Sequence, residues 1–123
     1  MQGEPAGHAA GPRLGAQPQT PGVLAVRDTP YTELRVVEHR DVRYLLLDGG
    51  THSFVQTEDG ATRQAYVMVT ELATELFEQP GRALIVGLGA GCLARQLTMD
   101  NWQVDAVEID PEVTRAAREF FRF

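Results

Sequence analysis

Three periodicities follow one another along the 123-residue chain. From Val23 to about Gln56, Leu, Val and Tyr come in short runs broken by turn residues, a β pattern. Within it, "TELRVVEHRDVRYLLLDG" holds two such runs on either side of the polar "EHRD", which reads as a hairpin. Asp48-Gly49-Gly50 supplies the next turn, and "THSFV" is a further short strand. Alone, so small an antiparallel element would be marginal. From Thr62 to Glu78 the period changes: Ala65, Tyr66, Val69, Leu72, Ala73, Leu76 and Phe77 recur at three- and four-residue steps. That predicts a helix with this stripe buried and Glu71, Glu75 and Glu78 toward solvent, stopped by Pro80-Gly81.

"RALIVG" then reads as a strand covered on both faces, as in a parallel sheet. After Gly87, Gly89 and Gly91, Leu93, Ala94 and Leu97 mark a helix ending near Asp100-Asn101. "QVDAVEI" is a second such strand. Asp110-Pro111 opens another helix, with an N-cap and a proline in its first turn. Its buried stripe is Val113, Ala116, Ala117, Phe120 and Phe121. Two parallel strands do not make a covered sheet, and the last helix needs a strand to return to. The order therefore reads as the first half of a larger domain, with the apolar side of the last helix left bare and prone to association.

The fold class expected is α/β, an N-terminal antiparallel β element followed by the first half of a Rossmann domain of the S-adenosylmethionine methyltransferase type. Residues 1–22 hold four prolines among Gly, Ala and Gln, and read as a disordered tail. Residues 23–61 form the β element and 62–123 the partial nucleoside-binding domain.

A net charge of -6 argues against a nucleic-acid surface, which needs clustered Lys and Arg. The one cysteine, Cys92, excludes an internal disulfide and a cysteine-rich metal site, and favours a reducing compartment. No apolar run approaches ~20 residues and there is no apolar signal core, so a cytoplasmic protein without a membrane span is expected.

The candidate chemistry sits where the first parallel strand breaks into glycines. Glycines there let backbone N–H groups approach a ligand, and an acid at the end of the next strand accepts from ribose hydroxyls. Glu108 is that acid, about 20 residues on from the turn. Dinucleotide sites carry G-x-G-x-x-G; here the third glycine falls one residue early and Cys92 takes the last position. G-x-G-x-G followed by an acid is the pattern of S-adenosylmethionine-type folds. The competing reading is that the glycines only allow close packing of helix on strand.

Four stretches, "YTELRVVE", "RYLLLDGGTHS", "ALIVGLGAG" and "DAVEIDPEVTRAAREFF", resemble the spermidine synthase family of polyamine aminopropyltransferases. The resemblance implies that Gly87, Leu88 and Gly89, with Gly91 completing the turn, wrap the nucleoside, and that Glu108 binds its ribose. It puts Tyr66 at the tyrosine of the family's Tyr-His-Glu signature, as a substrate-binding residue. It puts His52 at the glutamine of LDG-x-x-Gln, where it can contact the nucleoside. Val67 and Met68 replace the signature's His and Glu, Thr32 replaces another glutamine, and Ala90 replaces an acid inside the glycine turn. These departures resemble the divergent spermidine synthase-like branch.

By the same resemblance the co-substrate is decarboxylated S-adenosylmethionine, or S-adenosylmethionine itself, with no metal. The partners are a nucleoside and a polyamine, with no nucleic acid or membrane, in a homo-oligomer. The family's catalytic aspartate falls outside these residues, so no catalytic residue is assigned. Two other readings stay open: an S-adenosylmethionine-dependent methyltransferase, and a non-catalytic remnant that binds a nucleoside or a partner.

Overall fold

The computed structural model describes residues 22–123. The expected tail lies outside the described residues except for Gly22, which opens the first strand. β1 (Gly22–Asp28), β2 (Glu33–His39), β3 (Val42–Leu47) and β4 (Gly50–Gln56) form an antiparallel meander in chain order. The sequence pattern distinguishes three of these strands and does not set β1 apart, although Pro30 marks the connection that follows it. Both tight turns have left-handed central residues, Arg40 and Asp41 in one and Asp48 and Gly49 in the other. Positive φ at both positions matches the right-handed twist of a two-residue hairpin.

α1 (Ala65–Thr74), β5 (Arg82–Val86), α2 (Cys92–Met99), β6 (Gln103–Val107) and α3 (Pro111–Phe120) follow, with β5 and β6 paired in parallel. The α/β class expected from the sequence is the fold observed. α3 begins as its residues dictate: the Asp110 carboxylate accepts from the Glu112 N–H at 2.9 Å and Pro111 occupies the first turn.

The core lies where the meander meets α3 and the glycine turn. Leu34, Val36, Leu45 and Val55 point from the meander onto Val113, Ala116 and Phe121, with Val67, Ala90 and Cys92 completing the cluster. Polar ties reinforce this seam: Arg43 donates to the Phe120 carbonyl at 2.6 Å, and Arg27 bonds Glu119 at 2.6 Å. The stripe of α3 is thus covered, contrary to the expectation that nothing would oppose it. Alternation along β2 and β3 gives the meander an apolar inner face, and α3 is what that face buries.

Exposure falls elsewhere. β5 is not buried on both faces: Leu84 is 67% and Val86 82% exposed, on the side where no described element packs. α1 also differs from its reading. It ends at Thr74, the chain continuing in tight i to i−3 hydrogen bonds through Phe77. Val67 is its one buried residue, while Val69, Leu72, Leu76 and Phe77 face outward. Periodicity found the helix, but the residues it buries depend on which neighbours are present.

Candidate nucleoside site

The carboxyl ends of β5 and β6 carry the glycine turn and Glu108 side by side. The Gly87 N–H donates to the Val107 carbonyl at 2.8 Å, extending the parallel pairing by one rung into the turn. The Glu108 carboxylate then reaches back: one oxygen accepts from the Leu88 N–H at 2.8 Å, the other from the Asp110 N–H at 3.0 Å. Each carboxylate oxygen can accept more than one hydrogen bond, so acceptor capacity remains for a ligand. Glu108 lines two adjoining grooves of about 450 and 740 Å³, together with Thr114 and Arg118 of α3.

Gly87, Gly89 and Gly91 all have left-handed φ, +89°, +58° and +79°. Only glycine takes that conformation without strain. The space beside each is used differently. A Cβ at Gly87 would meet nothing within 4 Å, so this position opens to solvent. At Gly89 it would stand 2.9 Å from Ser53 Oγ and 3.1 Å from the His52 ring. At Gly91 it would stand 2.6 Å from the Phe123 ring. The room at Gly89 and Gly91 is therefore filled by the chain itself, not kept clear for a ligand. Nor is it the packing of helix on strand: Gly89 receives β4 and Gly91 the C-terminal aromatic.

His52 and Tyr66 are brought to the same turn from elsewhere in the sequence. The β3–β4 register slips between Leu45–Ser53 and Leu46–Thr51, which leaves His52 as an extra residue in the strand. Such a bulge re-aims side chains. Beyond it, Ser53 is 1% exposed, and its Oγ accepts from the Ala90 N–H at 3.2 Å. The Gln64 amide clamps the bulge by donating to the His52 carbonyl at 2.9 Å. Tyr66, two residues into the next element, is half-exposed. Burial pushes its phenol pKa up, the neighbouring Cys92 adds to this, and the nearby Ser53 hydroxyl pulls it back. Burial likewise raises the Cys92 thiol, with the nearby Thr62 hydroxyl acting in the opposite direction.

Two of the substituted signature positions also have a place. Val67 lies in the core, 2% exposed, and Met68 is half-exposed beside Tyr66. Ala90 is buried, with its N–H held by Ser53. Sequence reasoning missed Ser53 and Gln64. Neither matched a motif, and the bulge that gives Ser53 its direction leaves no mark in a period-two pattern. Among the described residues, no group of three or more His, Cys, Asp or Glu side chains could hold a metal ion. No described helix is long and apolar enough to cross a membrane.

No family model matches the chain. It is 36% identical over 102 residues to a polyamine aminopropyltransferase of Vibrio vulnificus (strain CMCP6), a match covering 76% of this chain and 34% of that protein. The crystal structure of a probable spermidine synthase from Corynebacterium glutamicum ATCC 13032 superimposes with a TM-score of 0.62 at 19% identity. That likeness covers 79% of this chain and 39% of the other, and it shows a shared fold. The chain is a spermidine synthase-like protein that spans about a third of the length of the curated relative it matches.

Proposed function

We propose that this chain forms the nucleoside-binding part of an aminopropyltransferase, taking decarboxylated S-adenosylmethionine as co-substrate and an amine such as putrescine as acceptor. In that reaction the amine nitrogen attacks the carbon beside the sulfonium. A C–N bond forms, the C–S bond breaks, the amine loses a proton and methylthioadenosine leaves. The residues described here bind and orient. Glu108 accepts from the ribose, Gly87 presents the open stretch of the turn with Leu88 packed beneath it, and His52 and Tyr66 flank it from the meander and α1. Holding the two reactants in register is itself a large part of the rate. We place the protein in the cytoplasm, in polyamine biosynthesis, as a homo-oligomer.

The observation that carries this reading is Glu108. A carboxylate fixed at both oxygens by backbone N–H groups, at the carboxyl ends of a parallel pair and against a left-handed glycine turn, is preorganised for a diol. The relatives support aminopropyl over methyl transfer, since one is named a polyamine aminopropyltransferase and the other a probable spermidine synthase.

Calorimetric titration with methylthioadenosine tests it. Glu108→Gln should weaken binding by roughly 1.5–3 kcal/mol, the scale of a hydrogen bond to a charged group. The amide also turns a donor toward one of the two backbone N–H groups, loosening the turn. Equal affinity for wild type and variant would sink the assignment.

A further inference from the structure

Ser53 lies outside every motif, yet it sits where three parts of the site meet. Its hydroxyl is buried at 1% exposure and accepts from the Ala90 N–H at 3.2 Å. The absence of a side chain at Gly89 is what lets it approach, since a Cβ there would be 2.9 Å from Oγ. The residue before it, His52, is the extra residue of the β4 bulge, and its carbonyl is held by Gln64. A serine that accepts one hydrogen bond still has its own proton to donate. Burial raises the Tyr66 phenol pKa, and the nearby Ser53 hydroxyl lowers it. A buried backbone N–H left without an acceptor costs about as much as a lost hydrogen bond, so the turn is not free to leave Ser53.

We propose that Ser53 is a positioning residue for the nucleoside site, holding the glycine turn against the bulged β4 strand. This rests on the reading of the site as a nucleoside pocket and adds to it a residue that touches no ligand. The meander is then part of the binding apparatus: it fixes the turn whose backbone meets the ligand. A purely structural serine would hold the two elements together without any effect on nucleoside affinity.

The test uses the 123-residue chain with Ser53→Ala and Ser53→Thr, tyrosines labelled at the ring carbon bearing the hydroxyl, and Tyr66→Phe to assign its resonance. Ser53→Ala should raise the Tyr66 pKa, speed amide exchange at Ala90, and weaken methylthioadenosine binding roughly 2- to 10-fold, the equivalent of one net hydrogen bond. Ser53→Thr keeps the hydroxyl and should restore all three toward wild type. Should Ser53→Ala not fold cooperatively, Ser53→Cys, similar in volume with a weaker hydrogen-bonding atom, carries the same expectations. A folded Ser53→Ala variant with unchanged Ala90 exchange overturns the proposal, whatever its Tyr66 titration. If wild type binds no methylthioadenosine, the nucleoside reading fails separately, while exchange still decides whether Ser53 positions the turn.

Discussion

Gly87 and Gly91 share a left-handed backbone but differ in what a methyl group would meet, and this separates their mutational costs. Gly87→Ala adds only backbone strain, about 1–2 kcal/mol. Gly91→Ala adds the same strain and drives a Cβ to 2.6 Å from the Phe123 ring, so overpacking of about 1–3 kcal/mol comes on top. Thermal unfolding should rank Gly91→Ala well below Gly87→Ala, and equal melting temperatures would refute the packing assigned to Phe123. Cys92 gives a pH-dependent prediction. Burial raises its thiol pKa, so the unfolded chain ionises first as pH rises. Protons are then held more tightly by the folded state, and stability falls from the ordinary thiol range up through the raised folded-state value. Tyr66, also raised by burial, extends the fall to higher pH with the same sign. Urea unfolding between pH 8 and 11 should show this decline, with its lower-pH part removed in Cys92→Ala. An aromatic disulfide reagent should label the thiol slowly at pH 8 until the chain is unfolded.

At the scale of elements, the start of α3 does two jobs. One Asp110 oxygen caps the helix and the other accepts from the Thr29 hydroxyl at 2.6 Å, which ties α3 to the β1–β2 connection. Thr29 in turn accepts from the N–H groups of Tyr31 and Thr32, both at 3.1 Å. Asp110→Ala should therefore cost about 1–3 kcal/mol, a cap plus a part-buried hydrogen bond. Thr29→Val should cost the smaller share, and the pair should be non-additive in denaturant unfolding, because each removes the same bond. The cap was legible in Asp110-Pro111. The tie to Thr29, 81 residues away, was not, because nothing local marks which distant hydroxyl a buried carboxylate will meet.

For the whole molecule, the uncovered surface decides behaviour in solution. Leu84, Val86 and Val107 stand exposed on one side of the parallel pair, with Leu72 on α1 and Leu76 just past its end. Apolar surface left exposed in this way favours association. Sedimentation should show concentration-dependent self-association that Leu84→Lys with Val86→Lys reduces; substitutions on the α3 stripe should instead unfold the protein. A monomer at all concentrations would refute this. Periodicity and turn chemistry, both local, determined the element order from β2 onward, the parallel pair, the glycine turn and Glu108 as its acid. They could do so because helix and strand periods, caps and left-handed turns are set within a few residues. Which face each element buries, the bulge at His52, the role of Ser53 and the occupant of the space beside Gly89 and Gly91 were decided by tertiary structure alone. Burial belongs to pairs of surfaces, and the meander that covers α3 lies far earlier in the chain, 92 residues at the Arg27–Glu119 pair.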